Sequence, residues 1–247
     1  MANLPLNIDY SGKVVVVTGA GGLICGAMAA AFARSGAKVA CLDLNEDAVK
    51  KLAAALKAEG CITEGYKANV LEPEALEEVH QAVLRDLGPC DILVNGAGGN
   101  NPRATTDNEY QHEAKEGSKT FFDLDASGVD FVFKLNFQGT LLPTQAFAKD
   151  MVAKKSGVIL NISSMNAYTP LTKIPAYSAA KAGISNFTQW LVPTLQAPAF
   201  AAMPLPPASW FPLRTRRCCS TRTALPLPAA RRSSTAPPLP VLWMPTS

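Results

Sequence analysis

The chain has 247 residues, of which 48% are hydrophobic and 17% charged, and a formal net charge of +3. That is enough apolar material for a substantial core in one large domain or two small ones. The charge is unevenly spread, since every Asp and Glu lies at or before Asp150 and the end of the chain carries Arg214, Arg216, Arg217, Arg222, Arg231 and Arg232. These arginines lack aromatic interleaving and a recognisable binding fold, so nucleic acid is not an expected partner.

In chain order, KVVVVT (13–18) is a β-branched run ending in glycines, the pattern of a buried parallel strand. LICGAMAAAFARSG (23–36) reads as an alanine-rich helix closed by Gly36, and KVACLDL (38–44) as the second strand. Asn45 caps a helix that ends at Gly60. TEGYKANV holds a third strand, EPEALEEVHQAVLRDLG a third helix with apolar residues at helical spacing, and CDILVNGAGG (90–99) a fourth strand with its exit loop. The polar stretch 100–127 breaks this rhythm. FVFKLNFQGTLLPTQAFAKDMVAKK then reads as one long helix, GVILNIS as a fifth strand and PAYSAAKAGISNFTQWL as a further helix. Strands alternating with helices predict an α/β fold with a parallel sheet covered on both faces.

The six cysteines have no metal-ligand spacing, so no metal is expected and the thiols are expected to be free, in a reducing compartment. Cys25, Cys41, Cys61 and Cys90 read as small core or near-core residues, His80 as an exposed residue of a charged helix, and His112 as a residue of the polar stretch without ligand partners. The N-terminus has no basic region followed by a long apolar run, and no stretch is long enough to span a bilayer, so the expected location is cytoplasmic with no membrane contact.

Two stretches carry chemistry. TGAGGLICG (18–26) joins the first strand to its helix. Glycines there let the backbone approach a pyrophosphate, and the helix N-terminus offers free N–H groups. Asp43 ends the second strand, where a carboxylate accepts hydrogen bonds from an adenosine ribose and repels a 2′-phosphate, which favours NAD over NADP. In SSMNAYTPLTKIPAYSAAK (163–181), Tyr177 and Lys181 are four residues apart and share a helix face. An ammonium beside a phenol favours the phenolate, and a phenol so tuned exchanges a proton with an alcohol or ketone near neutral pH. Ser164, at the exit of the fifth strand, is placed to hydrogen-bond the same oxygen.

TGAGGLICG, NGAG (95–98), LNFQGT (135–140), NISS (161–164) and YSAAK (177–181) stand in the order seen in short-chain dehydrogenase/reductases, and residues 10–190 resemble that family. The resemblance implies a Rossmann-type doubly wound fold and hydride transfer to or from NAD(H), with Tyr177 as general acid/base, Lys181 binding the ribose and tuning Tyr177, Ser164 orienting the substrate carbonyl and Asn136 holding a proton-relay water. It implies cofactor contacts at Gly19, Gly22, Leu23, Ile24, Asp43, Asn69, Asn95, Gly96, Ala97, Tyr177 and Lys181. The glycine loop departs from the family pattern, which has glycines where this chain has Leu23 and Cys25; here they are Gly21, Gly22 and Gly26. NGAGGNNPRATTDNEY, TFFDLD and NISSMNAYTPLTKIPAYSAAKAGISNFTQWL are similar to the short-chain-type D-mannonate oxidoreductases (fructuronate reductases). That likeness implies D-fructuronate reduction to D-mannonate, a substrate cover over 100–127, and hydroxyl and carboxylate contacts at Asn100, Asn101, Arg103 and Asn166. It also implies assembly into a homo-oligomer. The alternatives are a dehydrogenase for another polyol or sugar acid, and a non-catalytic nucleotide-binding protein with an interaction tail.

The chain divides at residue 191 into a Rossmann-type domain (1–191) and a Pro/Arg-rich segment (192–247). Of the 19 prolines, 12 lie between Pro193 and Pro245. Such a segment is expected to form neither helix interiors nor central strands, leaving the C-terminal strands missing or disrupted. The family continues with a sixth strand and an N-A-x-x-P-G segment over the nicotinamide. Read two bases into each codon, Val192–Ser209 can spell A-H-F-A-S-P-G-I-R-C-N-A-I-A-P-G-F, with the single Met203 codon forcing the A-T that ends the Asn codon. The segment therefore reads as the right gene in the wrong frame, and the chain as written is expected to be weakly active or inactive and aggregation-prone.

Overall fold

The computed structural model describes residues 8–195 and 199–205. Six parallel strands, β1 (Val14–Thr18), β2 (Lys38–Asp43), β3 (Thr63–Lys67), β4 (Ile92–Asn95), β5 (Ser156–Ile162) and β6 (Ala199–Leu205), form one sheet in the order β3-β2-β1-β4-β5-β6. The order reverses between β1 and β4, which opens a crevice at the carboxyl ends of these strands. The helices are α1 (Leu23–Arg34), α2 (Glu46–Ala58), α3 (Pro73–Asp86), α4 (Ala126–Phe133), α5 (Gly139–Lys154) and α6 (Pro175–Thr194).

Alternate residues of the strands feed two cores. Val14, Val16, Leu42 and Leu93 pack with Leu76, Val83, Phe147 and Met151 of α3 and α5. Val15, Val17 and Cys41 pack with Ala29 and Ala33 of α1 and Val49 and Leu56 of α2 on the other face. A sheet buried on both sides explains why β1 is a continuous valine run rather than an alternating one. Cys25, Cys41 and Cys90 are buried free thiols and Cys61 is half-buried, as expected of core residues.

The α2–β3 contact depends on Gly65, where a β-carbon would lie 2.7 Å from the Val49 carbonyl oxygen. Backbone cannot swing aside as a side chain can, so Gly65→Ala must part the helix from the strand. Overpacking of this kind costs about 2 kcal/mol. Urea titration should show that loss, and an unchanged midpoint would refute the packing argument.

Three expectations are corrected. The long helix is interrupted: α4 and α5 are joined by a π-helical turn, Lys134–Gln138, which holds Asn136. His80 is not exposed but buried at 4% relative exposure. Its Nε2 lies 3.0 Å from Asp150 Oδ1, its ring meets Phe147 edge-on at 5.2 Å, and Asp150 Oδ2 accepts from the Cys90 N–H at 2.8 Å. Third, α6 runs past residue 191 to include Pro193, and Ala199–Leu205 pairs with β5 as a sixth strand from Ser156↔Ala199 to Ile162↔Leu205. Within the described residues β6 is an edge strand, where Pro204 is tolerated because one side of the strand needs no ladder donor. Residues 206–247, including Cys218, Cys219 and all the tail arginines, lie outside the described residues.

Candidate functional site

A cavity of about 510 Å³ occupies the crevice above β1, β2 and β4. Gly19, Gly22, Leu23, Ile24, Asp43, Asn69, Gly96 and Ala97 all line it, bringing together eight of the residues expected at a cofactor. Gly19 has φ +71°, and a β-carbon on it would stand 2.9 Å from the Ala97 backbone nitrogen, so only glycine lets the β1 and β4 loops meet. Cys25 also lines the cavity and packs its sulfur against Gly96, where any side chain would collide with it. Burial pushes the Cys25 thiol up, partly offset by the nearby Lys181 charge. Asn69 Oδ1 accepts from the Leu71 N–H at 3.1 Å and its Nδ2 donates to Glu72 at 2.7 Å.

Asn95, Tyr177 and Lys181 are not among the residues lining this cavity. Asn95 is buried behind its floor, donating from Nδ2 to Thr144 Oγ1 at 2.9 Å and to Asn161 Oδ1 at 2.8 Å. Asn161 donates onward to Thr188 Oγ1 at 2.9 Å, so one buried chain ties β4 and β5 to α5 and α6.

The proton-transfer candidates gather beside the cavity. Lys181 is buried, donates from Nζ to the Ile162 carbonyl at 2.8 Å, and lies 5.7 Å from the Tyr177 ring centroid. Burial pushes its pKa down to about 8. Asn136 Nδ2 donates to the Gly99 carbonyl at 2.7 Å and the Val132 carbonyl at 2.8 Å, while its Oδ1 accepts from the Gly99 N–H at 3.3 Å. A β-carbon on Gly98 would lie 2.8 Å from Asn136 Oδ1 and 3.3 Å from Lys181 Nζ, so both side chains flank this one glycine. Ser164 follows β5, and its Oγ accepts from the Asn166 N–H at 3.2 Å.

The sequence profile of the short chain dehydrogenase family matches residues 13–197. The chain belongs to the short-chain dehydrogenase family. It is 56% identical over 190 residues to an uncharacterised oxidoreductase of Haemophilus influenzae, covering 76% of this chain and 67% of the relative. A candidate D-mannonate oxidoreductase from Haemophilus influenzae, solved with bound NAD, superposes with a TM-score of 0.73 at 56% identity, covering 75% of this chain and 66% of that one. An NAD⁺-bound xylitol dehydrogenase superposes with a TM-score of 0.69 at 28% identity, covering 80% of this chain and 71% of that one. The short-chain dehydrogenase described here thus spans about two thirds of the length of its Haemophilus relatives. Its cleft fits NAD: the Gly19–Ala97 approach leaves bare backbone where a pyrophosphate binds, and Asp43 stands on the cleft wall at the end of β2.

This short-chain dehydrogenase folds 100–127 into three short 3₁₀ turns rather than an open loop. The segment is pinned by Thr106 N–H to the Lys173 carbonyl at 3.0 Å and Asp125 N–H to the Arg103 carbonyl at 3.1 Å. Asn101 Oδ1 accepts from the Arg103 N–H at 2.9 Å and Asn100 Nδ2 donates to Thr105 Oγ1 at 3.0 Å, so both asparagines shape the turn. Arg103 is exposed. Asn166 is buried, and its Oδ1 has no partner among the described residues. Sequence reasoning missed Ala104, which is fully buried with Val132, Ala176 and Ala180 beneath Tyr177 and anchors the 100–127 segment to α6. Its only signal was an alanine after Asn-Pro-Arg. Among the described residues no helix is long and apolar enough to cross a membrane.

Proposed function

We propose that this chain is built for NAD(H)-dependent hydride transfer between the nicotinamide and the ketone or alcohol carbon of a sugar acid, with D-fructuronate and D-mannonate as the pair. The observation that carries the reading is the buried Lys181 beside the Tyr177 ring, on the flank of a cleft that fits NAD. NAD, when bound, supplies or takes the hydride. Tyr177 exchanges the proton with the substrate oxygen, Ser164 hydrogen-bonds that oxygen, and the Lys181 ammonium stabilises negative charge on the phenol oxygen. Asn136 holds the loop at Gly99 and the route by which the proton is replaced. The unpaired Asn166 amide takes a substrate hydroxyl, Arg103 the carboxylate, and Asn100 and Asn101 hold the cover over them. The sugar-acid substrate rests on the 56% identity to the candidate D-mannonate oxidoreductase. NADH consumption with D-fructuronate, compared with other keto-acids and polyols, tests it; a preference for a substrate without a carboxylate would overturn it.

Lys181 sets the expected pH dependence. Its ammonium is fully present below a pKa of about 8 and lost above it. Ketone reduction, followed as kcat/KM, should hold steady below that pH and fall as the pH rises through it, since kcat/KM reports groups of the free enzyme. A profile level through the whole range would remove Lys181 from its role.

Residues 1–191 form the Rossmann-type domain in this reading, and 192–247 are the same gene out of frame. The position of β6 supports it: Ala199–Leu205 are the residues whose codons can spell I-R-C-N-A-I in the shifted frame. The apolar residues of the written frame occupy the same edge of β5. A homo-oligomer is the expected assembly, and the apolar groove between α5 and α6, with Leu141, Ala148, Phe187 and exposed Trp190, is the face a second copy would cover. The competing reading, a nucleotide binder without catalysis, predicts dinucleotide affinity that survives every change at Ser164 and Tyr177 with no turnover to lose.

A further inference from the structure

We infer that Gly21 is a specificity-determining residue: its backbone N–H and its missing side chain lock the Asp43 carboxylate in one orientation, and that lock restricts the cleft to dinucleotides with a free ribose 2′-hydroxyl. The inference rests on the NAD reading of the cleft and concerns a glycine that stands outside the family's usual spacing.

Asp43 is held at both oxygens by backbone. The Gly21 N–H donates to Oδ2 at 3.0 Å and the Asn45 N–H donates to Oδ1 at 2.9 Å. Each carboxylate oxygen keeps a second lone pair, so the locked group can still accept from a ribose diol. Gly21 has no conformational reason to be glycine, since its φ is not in the left-handed region where Gly19 sits. It is exposed, so it has no burial reason either. Its reason is space. A β-carbon there would lie 3.0 Å from both Asp43 Cγ and Oδ2 and 3.1 Å from the Ala48 β-carbon. Ala48 is fixed in turn, because its N–H donates to the Asn45 side chain that caps α2. A side chain at position 21 therefore pushes either the carboxylate or the helix, and the carboxylate is the softer of the two.

The consequence concerns discrimination. A carboxylate free to rotate can turn toward solvent when a 2′-phosphate arrives, which relieves repulsion. A carboxylate pinned at both oxygens cannot, and like charges forced together cost several kcal/mol. Charge alone gives some preference for NAD; the lock makes it strict.

The test is direct binding, independent of turnover. Calorimetry on the whole chain gives dissociation constants for NAD and NADP with the parent, Gly21→Ala and Asp43→Glu proteins, after thermal melts confirm that each is folded. The parent should prefer NAD by at least about 10²-fold, the size of such a repulsion. Gly21→Ala should lower that ratio at least about tenfold, mostly through tighter NADP binding as the freed carboxylate turns from the 2′-phosphate. A Gly21→Ala protein that keeps the parent ratio overturns the lock. Should that variant fail to fold, Asp43→Glu takes its place with the same two outcomes, because it keeps the charge but carries the carboxylate past the Gly21 N–H. A parent chain that binds neither dinucleotide overturns the cofactor reading and the lock with it. One that prefers NAD while its variants do the same overturns the lock alone.

Discussion

Replacing Tyr177 with phenylalanine should slow turnover about 10³-fold, the contribution of a well-placed general acid/base, while NAD affinity stays within about twofold of the parent. The substitution removes one oxygen and nothing else. The ring still packs on the small core of Ala104, Val132, Ala176 and Ala180, and it still presents its face to Lys181. Lys181 keeps its own anchor on the Ile162 carbonyl, so its position does not depend on the phenol oxygen. Tyr177 does not line the cavity in which the dinucleotide would lie, so binding has little to lose. Turnover and NAD titration on the same preparation separate the two quantities. A fall in turnover of less than about tenfold would take the proton-transfer role from Tyr177. Lys181 offers the contrast: it is buried beside Gly98 of the cleft, so Lys181→Met should disturb both binding and turnover.

What the sequence revealed and what it hid follow from range. The valine run of β1, the glycine-closed α1 and the acidic start of α2 are local signals, and each element stands where its residues indicate. The cleft residues were legible for the same reason. They sit at strand exits, and a doubly wound sheet brings the exits of β1, β2 and β4 together. Asn95 was legible as a residue of this region but not in its contacts, because its partners Thr144 and Asn161 lie 49 and 66 residues away. The π turn was hidden too. LNFQGT has no helix breaker at its centre, and the turn accompanies Asn136 hydrogen bonds that reach back 37 residues to Gly99. His80 was misread because its helix is charged, whereas Phe147 and Asp150 cover this one side chain from α5. In β6 composition misled most. Proline argued against a strand, yet an edge position relaxes that rule, and AFAAMPL is apolar enough to lie along β5.

Restoring one base in the codon for Val192 should raise kcat/KM at least about 10²-fold, the effect of correcting a misplacement of about 1 Å at a reacting centre. In the proposed reading the shifted frame replaces the written residues of β6 by I-R-C-N-A-I, which the codons there can spell, and continues into A-P-G-F, resembling the segment that closes over a nicotinamide in this family. The groups proposed for proton transfer, Ser164, Tyr177 and Lys181, precede the shift, in the turn after β5 and on α6. In the proposed reading the restored chain gains positioning, and the gain should appear in hydride transfer far more than in adenosine binding, which that reading assigns to Asp43 and the β1 loop on the cavity wall. Sequencing from the codon for Trp190 to the stop, with an intact mass of the expressed protein, fixes which frame is made. Parallel assays of the written and restored chains with D-fructuronate and NADH then measure the gain. Equal activity in the two would show that the chain through β6 suffices for catalysis and would overturn the reading of 192–247 as out of frame. A gain confined to the restored chain, abolished by Tyr177→Phe, would tie the lost segment to the geometry of hydride transfer rather than to the proton.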